Sequence, residues 1–279
     1  MFQPNLLAGK RILITGGGSG LGLAMARRVL ELGADVAICG RRADVLEAAA
    51  AALNADFPDR AAHRQCDIRD ADAVEAMVTD LWQAAPIDAL VNNAAGNFIA
   101  RTETLSPRAF DAVLAIVGHG TAYVTLACGK RWLQAGRSGN VLSIVTTYAE
   151  TGSAYVVPSA MGKAAVLAMT RSLAVEWGGR GIRLNAIAPG PFPTEGAWQR
   201  LVPNDAADAA WRDRIPLGRF GEKQELVDLV AYLLADQSGF VNGEVVTIDG
   251  AEWLKGAGQF TFMEMLSDEE WEAMRTRGR

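Results

Sequence analysis

Short apolar runs at Arg11 to Ile14, Asp35 to Cys39, Ala89 to Val91, Val141 to Val145, Arg183 to Ile187 and Glu244 to Ile248 punctuate the chain. Each is too brief for a helix and rich in Val, Ile, Leu or Ala, the mark of a strand covered on both faces. Between the runs apolar side chains return every three to four residues, the period that lines one face of a helix, so each run but the last leads into a helix. A further strand is expected just ahead of Asp67. Strands alternating with helices imply a parallel sheet joined by right-handed crossovers. The expected fold is therefore α/β: one doubly wound (Rossmann) domain over residues 1–279, with a mostly parallel central sheet and helices on both faces. Such sheets bind ligands beyond the carboxyl ends of their strands.

Two stretches depart from the alternation. Pro189-Gly190-Pro191-Phe192-Pro193 is the densest Pro/Gly cluster, and the segment after it, about 194–219, is expected to form a lid over the site. The C-terminal extension, about 251–279, contains Leu266-Ser267-Asp268-Glu269-Glu270-Trp271, where Ser267 and Glu270 have the spacing of a capping box. Packing or oligomer contacts are the roles expected of that tail.

With 279 residues, half of them apolar, the chain can bury a large core. No window of about 18 uninterrupted apolar residues suggests a membrane span. The first ten residues lack a secretory core or an Arg/Ser-rich transit pattern, and a cytoplasmic setting is expected. Cys39, Cys66 and Cys128 lie far apart without CxxC spacing and read as buried thiols. A net charge of −5 gives no footprint for nucleic acid, and two histidines, His63 and His119, make a metal centre unexpected.

Candidate chemistry starts at the first strand. Ile12-Leu13-Ile14 runs into Thr15-Gly16-Gly17-Gly18-Ser19-Gly20-Leu21-Gly22, followed by a helical stretch. Glycines between strand and helix let the backbone approach a pyrophosphate, whose charge meets the free amides of the helix N-terminus. At the end of the second strand a carboxylate would select NAD through the ribose 2′-hydroxyl, whereas arginine pairs with the 2′-phosphate of NADP. Cys39-Gly40-Arg41-Arg42 stands there, with no acid before Asp44, so NADP(H) is the expected cofactor. Asp67, followed by Ile68, is placed to accept from the adenine amine, and Asn92-Asn93-Ala94-Ala95-Gly96 ends the strand behind the nicotinamide ribose.

Taken together, TGxxxGxG at Thr15 to Gly22, NNAAG at Asn92 to Gly96 and PGxxxT at Pro189 to Thr194 resemble the short-chain dehydrogenase/reductase family, over about residues 8–250. The resemblance implies cofactor contacts at Thr15, Gly16, Ser19, Gly20, Leu21, Gly22, Asn93, Ala94, Ala95, Pro189, Gly190 and Thr194. It also implies a serine, a tyrosine thirteen residues on and a lysine four further. Counting back from Lys163, those places hold Ser159 instead of tyrosine and Thr146 instead of serine, and a family asparagine would fall at Val117.

Two readings follow: a retired NADP(H)-binding protein, or a reaction that needs no tyrosine at that point. Lys163, one of five lysines, favours the second. Asn97-Phe98 after the NNAAG loop, Tyr148-Ala149-Glu150-Thr151-Gly152 and Val157-Pro158-Ser159-Ala160 resemble the 2,4-dienoyl-CoA reductase branch of the family. That resemblance implies Tyr148 and Asn97 at an acyl-CoA substrate, with Ser159 and Lys163 around the cofactor, in a dimer or tetramer of the chain. A 3-oxoacyl reductase or other alcohol dehydrogenase is the alternative. His119 is expected to be a helix-interior structural residue.

Overall fold

The computed structural model describes residues 2–194, 198 and 202–277. Its sheet has seven parallel strands: β1 (Arg11–Thr15), β2 (Asp35–Gly40), β3 (Ala61–Gln65), β4 (Ala89–Asn92), β5 (Gly139–Ile144), β6 (Ile182–Pro189) and β7 (Val245–Ile248), in the order β3-β2-β1-β4-β5-β6-β7. The six apolar runs all became strands, with no end shifted by more than two residues. The strand expected before Asp67 is β3, an edge strand whose middle is only half buried and whose apolar signal is correspondingly weak.

Period-two alternation sends Ile12 and Ile14 to one face and Leu13 to the other. On the first face they meet Met25, Val29 and Leu30 of α1 (Gly20–Glu31), Leu46 and Leu53 of α2 (Ala43–Asp56), and Leu226 and Val230 of a helix at Lys223–Leu234. On the second face Leu13 joins Val74, Val78 and Leu81 of α3 (Ala71–Ala84), and Val124, Cys128 and Trp132 of α5 (Thr121–Gln134). Trp132 is fully buried and donates its indole N–H to the Ile87 carbonyl at 2.6 Å. With both faces covered, alternation is invisible in the sequence and the strands read as continuous apolar runs.

The other α-helices given by the described residues are α4 (Pro107–Leu114), α6 (Tyr148–Thr151), α7 (Val157–Gly178), α8 (Asp205–Asp213), α9 (Lys223–Leu234), α10 (Glu252–Ala257) and α11 (Asp268–Arg277). Thus the last strand is also followed by a helix, α10, contrary to the sequence pattern. A π-helical turn at Ala115–Gly120 joins α4 to α5, leaving Pro107–Gln134 as one 28-residue helical run. An 18-residue window there has mean hydropathy 1.5, enough by length and composition to cross a membrane, yet half of it is buried inside this fold. At the C-terminus the Ser267–Glu270 capping box forms: each backbone N–H is accepted by the other's side chain, at 2.7 and 3.3 Å. Of the expected lid, residues 195–197 and 199–201 lie outside the described residues; the rest contains α8.

The strand order reverses between β3 and β4, so the crevice beyond the carboxyl ends of β1 and β4 is the switch point of the sheet. Thr15, Asn92, Ile144 and Pro189 end four adjacent strands around it.

Candidate active site

The glycine turn is shaped by backbone need. Gly16 and Gly20 sit at φ +67° and +56°, the left-handed region that suits glycine. A Cβ on Gly22 would lie 2.2 Å from the Gly16 carbonyl oxygen, so helix and strand close to a distance no side chain allows. Ser19 caps α1 without a side-chain hydrogen bond, leaving the first amides of a 12-residue helix without that partner. Free amides, a positive dipole end and an open backbone fit a diphosphate. Thr194 closes the turn from above: a Cβ on Gly20 would lie 3.8 Å from its side chain. Gly190 donates its N–H to the Ile248 carbonyl at 2.9 Å, fixing the start of that segment to β7.

Thr15 and Asn93, expected at the cofactor, are committed to each other. The buried Thr15 hydroxyl accepts the N–H groups of Asn93 and Ala94, both at 3.0 Å, and the Asn93 amide donates to the Thr15 carbonyl at 3.0 Å. Ala95 is exposed beyond this tie. Asp67 is also engaged: its carboxylate accepts from the Arg69 guanidinium at 2.9 and 3.0 Å, which holds it below the usual carboxylate range. Adenine binding there would have to share the acceptor with Arg69, a partner that the strand-end pattern did not suggest. The Ile68 side chain is buried, and a Cβ on Gly120 of the π turn would meet it at 2.7 Å.

Arg41 and Arg42 emerge exposed from the end of β2, and among the described residues neither is in an ion pair. Gln65 at the end of β3 donates to the Arg41 carbonyl at 2.9 Å and fixes the backbone beneath the guanidinium.

On the other side of the crevice Tyr148 opens α6, and its hydroxyl stands 3.2 Å from that of Ser159. Ser159 lies in the first turn of α7, with Lys163 one turn later on the same face, and both are buried. The Lys163 ammonium donates to the Ile144 carbonyl at the end of β5, and burial pushes its pKa down to about 8. Ser159, expected beside the cofactor, has the Tyr148 hydroxyl as its side-chain partner among the described residues. Asn97 is exposed on the loop after β4, and no hydrogen bond joins it to Tyr148 among the described residues. The structure therefore gathers Tyr148, Ser159 and Lys163 and holds Asn97 apart on a neighbouring loop.

Beside them the Thr146 hydroxyl is buried with no hydrogen-bond partner among the described residues. Val117, in the π turn, is fully buried, and a Cβ on Gly162 would lie 2.9 Å from it, so no polar side chain from that position faces Lys163. His119 differs from expectation: it is exposed, with its ring centroid 6.1 Å from that of Tyr123.

Fold and crevice together define a doubly wound oxidoreductase that uses a nicotinamide cofactor. A family model described as enoyl-(acyl carrier protein) reductase matches residues 16–251. The chain belongs to the short-chain dehydrogenase/reductase family. It is 42% identical to the protein of Bacillus subtilis (strain 168) named "Probable 2,4-dienoyl-CoA reductase [(2E)-enoyl-CoA-producing]", over 88% of this chain and 97% of that one. It is 41% identical to "Probable 2,4-dienoyl-CoA reductase 3 [(3E)-enoyl-CoA-producing]" of Caenorhabditis elegans, over 90% and 83%. A gluconate 5-dehydrogenase from Burkholderia cenocepacia J2315, solved in complex with NADP and tartrate, superposes with a TM-score of 0.81 at 32% identity, over 90% of this chain and 98% of that one.

The glycine turn can be tested without turnover. Gly22→Ala drives a methyl into the Gly16 carbonyl and should cost about 1–3 kcal/mol of stability. Gly18→Ala meets the Val45 and Leu46 side chains, at 3.2 and 3.3 Å, which can shift, and the Val45 carbonyl at an ordinary 3.6 Å. It should cost about 1 kcal/mol or less. Urea unfolding of the two variants checks the order, and equal losses would contradict the packing.

Proposed function

We propose that the protein is an NADPH-dependent 2,4-dienoyl-CoA reductase that forms a 3-enoyl-CoA. The observation that carries this reading is the Tyr148–Ser159 pair beside Lys163. The phenol comes from Tyr148 and not from position 159, where the family keeps its acid, and stands 3.2 Å from the serine hydroxyl there. A donor so placed suits a carbonyl oxygen that gains charge but is not itself reduced.

A nicotinamide held in this crevice would supply a hydride, for conjugate addition at the δ-carbon (C5) of the dienoyl thioester. Negative charge then moves onto the thioester oxygen, and the protein must meet it with hydrogen-bond donors. Tyr148 and Asn97 are those donors. Ser159 orients the Tyr148 hydroxyl, and Lys163 holds the nicotinamide ribose and contributes positive charge. Solvent, which reaches the exposed Asn97, delivers a proton to the α-carbon. Proton placement decides the product, since C2 protonation leaves a 3-enoyl and C4 protonation a 2-enoyl thioester, the two outcomes in the names of the relatives above. Reduction of 2,4-hexadienoyl-CoA in D2O tests this reading: deuterium at C2 is expected, and deuterium at C4 would overturn the regiochemistry. Oxidation of NADPH with acetoacetyl-CoA but not with the dienoyl thioester would overturn the function.

Arg41, with Arg42 beside it, selects NADPH through its 2′-phosphate. The acyl-CoA enters beneath Thr194 and the segment carrying α8, which serve as a cover. Three free, buried cysteines, two of them with thiols pushed up to about 11 and about 12 by burial, suit a reducing cytoplasm. Exposed Leu126 on α5 and Val175 on α7 provide apolar surface for a dimer or tetramer of the chain.

Arg41→Ala should reduce the preference for NADPH over NADH by about tenfold or more, in titrations of the two nucleotides. Equal affinities in the unmodified protein would remove the assignment.

Tyr148→Phe and Asn97→Ala should each lower kcat by about two to three powers of ten with NADPH affinity little changed. Because both donors act on one oxygen, the double variant should lose less than the product of the single effects.

Lys163 gives the pH dependence. Its folded pKa, about 8, lies below the ordinary lysine value, and a cofactor that prefers the ammonium raises it on binding. NADPH affinity should therefore be full below about 8 and fall as the pH climbs above it. Lys163→Ala should bind weakly with a flat profile over that interval, read by NADPH fluorescence.

A further inference from the structure

We propose that Tyr155 sets the acyl-chain preference of the site, forming one wall of an apolar channel whose other wall is Phe98 and Ile99. The inference rests on the dienoyl-CoA reading and adds the part of the substrate beyond the reacting carbon. These three large apolar side chains are exposed by 58%, 42% and 53%. They lie on the two loops that carry or follow the proposed donors: Phe98 and Ile99 directly succeed Asn97, and Tyr155 lies between Tyr148 and Ser159. A backbone hydrogen bond of 3.0 Å from Ala100 N–H to the Tyr155 carbonyl fastens the loops together. Exposed apolar area is therefore concentrated where an acyl chain leaves the reacting end.

Backbone conformation singles out Tyr155 among the three. Its φ is +66°, in the left-handed region that glycine adopts freely and a bulky residue only at a cost. The other described non-glycine residues with positive φ are Asn5, Asp59 and Ala251, none with a large side chain. The backbone bond from Ala100 would survive in any residue, and the side chain adds nothing among the described residues to offset the strain, since the Tyr155 ring is mostly exposed and its hydroxyl has no hydrogen-bond partner there. Glycine would relieve the backbone and has the precedent of Gly152 nearby, at φ +72°. A strained, exposed aromatic beside a reaction centre is explained by what it binds.

Chain length provides the test. In 2,4-hexadienoyl-CoA one carbon extends beyond C5, whereas in 2,4-decadienoyl-CoA five do. Only the longer chain reaches far along such a wall. Steady-state NADPH oxidation with both substrates should show Tyr155→Gly lowering the decadienoyl-to-hexadienoyl ratio of kcat/KM by about tenfold, mainly through KM. Tyr155→Phe should keep the ratio of the unmodified protein, because the ring and not the hydroxyl is the wall. The melting temperature of Tyr155→Gly should be unchanged or higher, where a packing role would lower it. An unchanged ratio in Tyr155→Gly, a fall with both substrates alike, or a changed sedimentation coefficient marking Tyr155 as a subunit contact would overturn the inference. If the unmodified protein reduces neither dienoyl thioester, the reaction reading fails and takes this inference with it. If it reduces both and the ratio does not respond, only this inference fails.

Discussion

One hydroxyl holds the crevice open in a defined shape. Thr15 ends β1, and its side chain accepts the two backbone N–H groups, of Asn93 and Ala94, that follow β4. Strand ends at a switch point diverge, and their last amides have no ladder partner, so a buried acceptor between them satisfies both at once. The Asn93 amide returns the tie by donating to the Thr15 carbonyl. Both the glycine turn and the loop bearing Asn97 begin from this knot. The closeness of Gly22 to the Gly16 carbonyl and the direction in which the Asn97 loop leaves the sheet depend on the same few atoms.

A second constraint fixes the opposite wall. Lys163 is charged at neutral pH in a site that disfavours charge, and the Ile144 carbonyl is the partner that makes this tolerable. That bond joins α7 to the end of β5, so Ser159, one turn earlier on the same face, inherits its position from the sheet. Ser159 in turn meets the Tyr148 hydroxyl across a gap that a tyrosine at position 159 would fill. A small residue at 159 is therefore required once the phenol comes from α6, and the lost tyrosine at 159 and the phenol at 148 are one rearrangement.

Much of this was legible because the chemistry imposes local rules. The turn from Thr15 to Gly22 announces itself through glycines required by φ and close approach, and Lys163 through its spacing from Ser159. β3 was harder to bound, since an edge strand reading Ala-Ala-His-Arg-Gln has little apolar contrast. Other features depend on partners that spacing cannot reveal. The Arg69–Asp67 pair arises from a local loop fold, and the π turn from one extra residue accommodated within a helix. His119 lies inside the helical run as expected, yet its exposure in a π turn is not something a 3.6-residue period discloses. Tyr155 was hidden since no residue type signals a positive φ for an aromatic.

The π turn also bears on what the site declines to do. It carries Val117 into the core, and close packing leaves Gly162 as the residue that can face it, immediately before Lys163. A ketone reductase must resupply a proton to its acid after each turnover, and polar groups near the lysine would carry that traffic. Here the contact is methyl against glycine backbone, too tight for water, and the Lys163 ammonium is directed to a carbonyl of the sheet. A reaction whose proton enters from solvent at carbon needs no such relay. The apolar seal behind Lys163 and the displaced phenol in front of Ser159 suit the same chemistry, a hydride addition in which the protein steadies charge on oxygen and leaves the proton to water.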